Sequence, residues 1–259
     1  MAGDLRPFLD AWPYDPEHTI RMVRGADGKR RLQVRLPLGI EQYELDGRPD
    51  GRRPEGHESE LARWERRLVD YSARHGSDEG LRIPSDACAE LREEAVLYYY
   101  RYVLLFQVGE YGRTARDTSR NIRCANLVAH YGQTEEDRES MEPYRPYIVR
   151  MNRASRALLA LERRQYDIAL NEVEAGMRSI ESLPERNEPT FGFEKKRSLA
   201  FLRQLKGEIR RKRPVSLRER LERRLNRAVR EEAYELAARL RDRIAELDAD
   251  PAPEKAERS

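Results

Sequence analysis

The residues that most often carry chemistry are few in this chain and lie far apart in its sequence. It has four histidines and two cysteines, which are His18, His57, His75, His130, Cys88 and Cys124. Their spacing fits neither a zinc site nor a disulfide framework. The chain also lacks a Gly-x-Ser-x-Gly sequence and a Gly-rich phosphate loop. We therefore expect no catalytic residue, no metal site and no cofactor, and we predict that the protein is not an enzyme.

One loop brings several reactive side-chain types together. Residues 12–18 read Trp-Pro-Tyr-Asp-Pro-Glu-His, so aromatic rings, carboxylates and an imidazole share one short segment. A site could be built from such a loop, but the same composition suits a loop that caps a small sheet. Because the residues that follow predict such a sheet, we favour the capping role.

A long amphipathic segment near the C-terminal end points to recognition rather than catalysis. Between Leu217 and Asp248, apolar residues recur in steps of three and four, and charges of both signs fill the other positions. The apolar positions are Leu217, Leu221, Leu225, Val229, Ala233, Leu236, Leu240, Ile244 and Leu247. A narrow stripe of this kind must fold into a hairpin, dock on the body or pair with another chain. Periodicity alone leaves open whether the segment is one helix or two.

Part of this segment follows the pattern of a known motif. The matching residues are Ala228-Val229, Tyr234 to Ala238, Leu240 to Ile244 and Leu247. Together they resemble the UVR motif of the bacterial excision-repair proteins UvrB and UvrC, which also occurs in the ClpC chaperone and in McsA-type adaptors. The resemblance implies a short helical hairpin that pairs with another such hairpin, with its turn near Arg230-Glu231-Glu232. It implies no nuclease or ATPase chemistry.

The resemblance also implies which residues meet a partner. They are Tyr234, Ala237, Ala238, Leu240, Arg241, Asp242 and Ile244. Tyr234 lies among small alanines, so its ring is expected to anchor the contact. The expected partner is a protein, and another UVR hairpin and a homodimer through this hairpin both remain open.

A basic cluster precedes this segment and gives the alternative partner, a nucleic acid. Arg210, Arg211, Lys212 and Arg213 stand just before Pro214, which is expected to end the preceding helix. Four such charges can neutralise a few phosphates. Basic side chains are also favoured at a helix C-terminus by the helix dipole, and we give that role more weight.

The N-terminal region predicts a small antiparallel β-meander. Ile20 and Met22 alternate with polar residues, as do Leu32, Val34 and Leu36, and Gly25 to Gly28 between them predicts a hairpin turn. A third strand is expected over residues 40–45. Three strands are only marginally stable alone, so this sheet is expected to pack on the helices that follow.

The rest of the chain predicts a stack of helical hairpins. The stretch from Ala95 to Phe106 is apolar nearly all round, so we expect a helix that is buried on several sides. Its tyrosines could stack on nucleic-acid bases, but core packing is the favoured role. Ala157, Tyr166 and Ala169 weakly resemble the second half of a tetratricopeptide (TPR) unit, and we expect a TPR-like body. Such stacks often carry a peptide groove, although plain helix packing explains the pattern equally well.

Composition limits the remaining possibilities. Lys plus Arg exceed Asp plus Glu by 50 − 47 = 3, a balance unlike that of a dedicated nucleic-acid binder. A signal peptide and a membrane span are both absent from the sequence pattern, and a bacterial cytoplasmic location is expected. The fold class predicted is mainly α, with a β-meander unit over residues 1–57, a helical body over 58–213, a UVR-like hairpin over 214–249 and a disordered tail over 250–259.

These expectations combine into one function and one alternative. The first is a non-catalytic interaction or adaptor protein that docks partners through the C-terminal hairpin. The alternative is an accessory factor of bacterial nucleotide excision repair that binds DNA or recruits a UVR-bearing repair protein.

Overall fold

A computed structural model describes residues 4–215 and 217–249, and it shows a mainly α-helical protein with a small antiparallel sheet. The chain divides into two compact units, with the boundary after Arg210. The strands are β1 (Ile20–Arg24), β2 (Arg30–Leu36) and β3 (Gly39–Glu44). The helices are α1 (Arg6–Asp10), α2 (Glu60–His75), α3 (Ser85–Gln107), α4 (Tyr111–Tyr131), α5 (Glu135–Glu139), α6 (Arg145–Glu162), α7 (Tyr166–Glu181), α8 (Pro189–Lys212), α9 (Leu217–Arg230) and α10 (Tyr234–Ala249), with single 3-10 turns at Pro54–Gly56 and Glu142–Tyr144. The predicted tail from residue 250 onward lies outside the described residues.

The predicted β-meander is confirmed. The strands pair antiparallel in the order β1-β2-β3, with Leu32 opposite both Met22 and Tyr43. Gly28 supplies the positive φ of 77° that the first hairpin turn requires. The inner face of the sheet packs against Leu104 and Leu105 of α3, so the sheet is stabilised by the helices as expected.

One residue of β2 departs from the predicted alternation. Leu36 was expected on the apolar face, yet it is 39% exposed, whereas Arg35 beside it is only 5% exposed. Arg35 can be buried because its Nε donates a hydrogen bond to the carbonyl of Trp12 at 2.7 Å. This contact also holds the loop of residues 12–18 against the sheet.

Helix α3 is less uniformly buried than its composition predicts. Its residues Val96, Tyr99 and Tyr100 are exposed, so one face of the helix is open to solvent, whereas Leu91, Tyr98 and Leu105 are buried. In the same helix the charged Arg101 is fully buried. Side-chain polarity therefore does not predict burial in α3. Apolar residues are exposed on one face, and a charged residue is buried on another.

The burial of Arg101 is explained by its partners. Its guanidinium meets Asp117 of α4 through Nε–Oδ2 and Nη2–Oδ1 contacts of 2.7 and 2.9 Å. Its remaining nitrogen donates to the carbonyls of Glu44 and Gly47, at 2.7 and 2.8 Å. The side chain thus joins the end of β3 and its following loop to two helices. A charge with this many partners can be buried without an uncompensated desolvation cost.

A second buried carboxylate, Glu94, fixes the start of α2. Its oxygens accept hydrogen bonds from the backbone N–H groups of Glu60 and Leu61, at 2.8 and 3.3 Å. They also form ion pairs with Arg48 and Arg120. An anion at this position complements the dipole and the unpaired N–H groups of the helix N-terminus.

The helices of the first unit form two apolar clusters. One cluster joins α2, α3 and α4 around Leu61, Trp64, Leu91 and Val128. The other joins α6, α7 and α8 around residues that include Ala157, Val173, Leu202 and Ile209. Helix α3 begins at Ser85 with Pro84 at the cap position, where no side-chain cap hydrogen bond forms.

Both cysteines lie in the first of these clusters. Cys88 and Cys124 are free thiols with no exposed surface. Burial raises the pKa of the Cys88 thiol to about 11.

In the part of the chain that the structure describes, no helix is both long and apolar enough to cross a bilayer.

Candidate docking surface

The C-terminal amphipathic segment folds as two helices, α9 and α10, which face each other. Their shared core consists of Leu221, Ala228, Ala237 and Leu240, with Leu225, Ala233, Ile244 and Leu247 packed around it. The question that periodicity left open is therefore settled in favour of a helical hairpin. This hairpin has an apolar core of its own within residues 221–247.

The turn of the hairpin lies at Glu231 to Ala233, where the resemblance placed it. Glu232 takes a left-handed conformation with φ of 57°, which is uncommon for a residue other than glycine. The N–H of Ala233 then donates to the carbonyl of Ala228 at 2.9 Å, closing the end of α9. The sequence concealed this turn because it contains no glycine or proline.

The same turn geometry occurs twice in the first unit. The left-handed residues are Gly109 after α3 and Arg164 after α6, with φ of 77° and 57°. In each case the next N–H donates to the carbonyl five residues earlier, from Glu110 to Leu105 and from Gln165 to Ala160, both at 2.9 Å. In all three turns the following helix begins with a tyrosine, namely Tyr111, Tyr166 and Tyr234.

The three tyrosines differ in what covers them. Tyr111 is half-buried, and its ring meets that of Phe106 at a centroid distance of 5.5 Å. Tyr166 is half-buried against the α6–α8 cluster. Tyr234, in the equivalent position, is 68% exposed. The rings of Tyr111 and Tyr166 pack against the protein, whereas most of the Tyr234 ring is open to solvent.

The structure divides the predicted partner-binding residues into two groups. Ala237 and Leu240 are buried inside the hairpin, and Ile244 packs against the same core. The outward group is exposed and consists of Tyr234, Ala238, Arg241 and Asp242, the last two joined by a hydrogen bond of 3.0 Å. Only the outward group can contact a partner without opening the hairpin.

Two further apolar residues of the hairpin are exposed, which the sequence did not predict. Val229 and Leu236 are 51% and 43% exposed, although the sequence pattern placed both on the inner stripe. The turn between α9 and α10 interrupts the continuous stripe, so each helix turns its own set of apolar residues toward the hairpin core. Val229 and Leu236 belong to neither set. We call Tyr234, Ala238 and Arg241 the outer patch, because all three are exposed and their spacing places them on one face of α10.

The basic cluster before the hairpin is partly neutralised. Arg210, Arg211 and Lys212 are exposed. Arg210 lies 4.0 Å from the carboxylate of Glu174, and Arg213 lies 2.6 Å from that of Glu219. Nearby acids therefore reduce the positive field that phosphates would meet.

The loop of residues 12–18 lies at the sheet, in the position expected of a cap. The Trp12 ring stacks under the guanidinium of Arg21 at 3.8 Å, and His18 Nδ1 lies 2.8 Å from the Asp15 carboxylate at an exposed site. Among the residues that the structure describes, no group of three or more His, Cys, Asp or Glu side chains is arranged to hold a metal ion.

Comparison with known proteins adds one finding, and it concerns the hairpin. No curated protein and no solved structure matches the chain, so the TPR-like build of the body stays a prediction. A family model does match part of it. The C-terminal hairpin, over residues 216–250, carries the UvrB/uvrC motif, UVR.

Proposed function

We propose that this protein is a non-catalytic interaction protein, an adaptor that docks a protein partner through the outer patch of the α9–α10 hairpin. The observation that carries the proposal is the exposure of Tyr234 at a position where Tyr111 and Tyr166 are packed against neighbouring helices. Tyr111 is covered from within its own hairpin, by Phe106 of α3, whereas a helix of a partner would cover the exposed ring of Tyr234.

The physical chemistry of the outer patch suits this role. A tyrosine ring offers a large rigid contact area at a low entropy cost, and its hydroxyl can remain in water at the rim. Arg241 and Asp242 lie exposed on the same helix and set the orientation of a contact more than its strength, because exposed ion pairs contribute at most about 1 kcal/mol. The favoured partner is another helical hairpin of the same kind, on a different protein or on a second copy of this chain.

The alternative, an accessory factor of nucleotide excision repair, rests on the UVR match and on the exposed side chains of Arg210, Arg211 and Lys212. The ion pairs with Glu174 and Glu219 weaken it, because each neutralised cation is one fewer contact for a phosphate. Protein docking therefore comes first.

The test of the adaptor role begins with capture of the partner by the full chain, followed by titration of variants. Tyr234→Ala is expected to weaken binding by about 2 kcal/mol, which is roughly thirtyfold in Kd. Tyr234→Phe is the matched control and is expected to bind nearly as the parent does. Circular dichroism should show unchanged helicity. Unchanged binding by Tyr234→Ala would place the docking surface elsewhere, and lost helicity would make the tyrosine structural.

A second variant separates the two candidate functions. Replacing Arg210, Arg211, Lys212 and Arg213 by Glu is expected to leave partner binding largely intact and to change little in duplex DNA binding at about 150 mM salt, where so few contacts bind weakly. Tight duplex binding by the parent chain that these changes abolish would support the repair factor instead.

A further inference from the structure

The helical unit contains a cleft that the docking role does not use. It has a volume of about 670 Å³ and lies among α3, α6 and α8. The side chains lining it include five tyrosines, namely Tyr99, Tyr100, Tyr102, Tyr144 and Tyr147. A cleft of this size corresponds to those that hold drug-sized ligands.

Three of the tyrosine rings contact one another, and two others lie at an open rim. Tyr99 lies 5.6 Å from Tyr102 and 5.8 Å from Tyr147 between ring centroids, so these three rings support one another. At the rim, Tyr100 and Tyr144 are 51% and 57% exposed. Aromatic faces that are open to solvent attract cations through the negative charge density above the ring.

Two carboxylates enter the cleft from different helices, Glu93 from α3 and Glu194 from α8. The Oε2 atom of Glu194 is buried, and it has no hydrogen-bond partner among the described residues. Neither carboxylate forms an ion pair within that part of the chain. A buried carboxylate oxygen without a donor is costly, so this arrangement favours a ligand that supplies N–H groups.

The arginines around the cleft have other contacts. Arg150 stacks on the rings of Tyr147 and Phe201 at 4.6 and 5.4 Å, and Arg197 lies over the ring of Phe193 at 6.0 Å. The charges of Arg150 and Glu194 also act on each other, but no hydrogen bond or ion pair joins the two side chains among the described residues.

A third arginine, Arg92, lines the cleft beside Glu93, and its charge also acts on Asp137. Hydrogen bonds from Ser85 and Thr134 hold the pKa of the Asp137 carboxyl below its usual value, and the charge of Arg92 contributes to that shift. Arg92 thus lies in the field of Asp137.

We propose that this cleft binds an arginine side chain of a protein partner, with its guanidinium between the rim tyrosines and the carboxylate of Glu194. Elsewhere the chain makes the same contact internally, because Arg101 and Arg120 lie over the Tyr98 ring at 4.7 and 4.2 Å. A planar guanidinium can stack on a ring and donate to a carboxylate at once, which a compact ammonium does less well.

The size of the cleft favours a peptide over a free small cation. One arginine side chain fills only part of about 670 Å³. The apolar lining at Val96, Met141 and Ile148 leaves room for apolar residues on either side of the arginine. The ligand class is therefore an arginine flanked by aliphatic residues in an extended or helical segment.

The experiment titrates the full chain with the blocked tripeptide acetyl-Leu-Arg-Leu-amide and with its counterpart in which citrulline replaces arginine. Citrulline has nearly the same shape but no charge. We expect shift changes in nuclear magnetic resonance for α3 and α8, and an affinity about tenfold higher for the arginine peptide. Glu194→Gln should remove most of that preference.

Control variants make each outcome decisive. Glu208→Gln changes a half-buried carboxylate of the same helix that does not line the cleft, and it should leave the preference intact. Glu93→Gln changes an exposed residue and should reduce the preference even if Glu194→Gln fails to fold. Equal affinity for the two peptides, shift changes confined to other helices, or a preference unaffected by both cleft variants would overturn the proposal.

Discussion

Arg101 shows at the residue scale how a charged side chain can serve as a core residue. It joins Asp117 to the carbonyls of Glu44 and Gly47, all within 3 Å, the longest of these contacts being 2.9 Å. Removing it would leave the Asp117 carboxylate, which is 1% exposed, with the partly exposed Arg116 as its one cationic partner among the described residues.

We predict that Arg101→Met lowers the free energy of unfolding by about 3 kcal/mol, the lower end for breaking a buried pair, because Arg116 remains. Urea unfolding followed by circular dichroism measures this. The control is Arg113→Met, whose partner Asp46 has a largely exposed side chain, so the ion pair should contribute below about 1 kcal/mol. Equal losses for the two variants would show that burial does not set the strength of the Arg101 contacts.

The sequence could not predict the role of Arg101. Its composition marked the stretch around it as apolar, and the charge looked like an exception. Asp117 lies on the next helix, so the pairing depends on how α3 and α4 turn and cross. The spacing of apolar residues was enough to predict that these helices exist. Which residue pairs with a buried charge depends on how the helices pack, and residue spacing does not show that.

The turn of the UVR hairpin is the clearest feature at the element scale. Glu232 holds a φ of 57° that disfavours a side chain, whereas Gly109 occupies the equivalent place after α3. A left-handed conformation costs a residue other than glycine roughly 1–2 kcal/mol.

We therefore predict that Glu232→Gly stabilises the hairpin by about 1 kcal/mol. Amide hydrogen exchange of α9 and α10 in the full chain should slow by roughly fivefold. The control is Arg227→Gly inside α9, which should have the opposite sign, because glycine in a helix interior is destabilising. Faster exchange in Glu232→Gly would mean that the hairpin does not close through a left-handed residue.

The elements themselves were largely predictable. The β-meander, its first turn and most helices follow from the spacing of apolar residues along each segment. The split between α9 and α10 does not, because the apolar steps continue across a turn without glycine. The resemblance to the UVR motif located that turn, and the outer patch became visible only when the two helices were oriented.

At the scale of the whole molecule, the apolar clusters are separate. The hairpin core lies within residues 221–247, and the other clusters lie within residues 20–209. Because no apolar cluster among the described residues draws on both sets, the body should fold without the hairpin.

A chain ending at Arg213 is thus predicted to unfold cooperatively, with Tm within about 4 °C of the full chain, which corresponds to roughly 1 kcal/mol at this size. Differential scanning calorimetry provides the measurement. The matched comparison is the full chain carrying Leu240→Ala, which loosens only the hairpin core. Aggregation of the shortened chain would show that the hairpin belongs to the core of the body.

The reactivity of the two buried thiols can report transient opening of the helical cluster that surrounds them. Cys88 and Cys124 have no exposed surface, so a thiol-specific reagent reaches them only in molecules whose helical cluster has come apart. Their alkylation rate would therefore time the transient openings of the native state. For the same reason a cysteine introduced at an exposed hairpin position, such as Arg239→Cys, would take up a fluorescent dye selectively in the native protein, with the natural cysteines left in place.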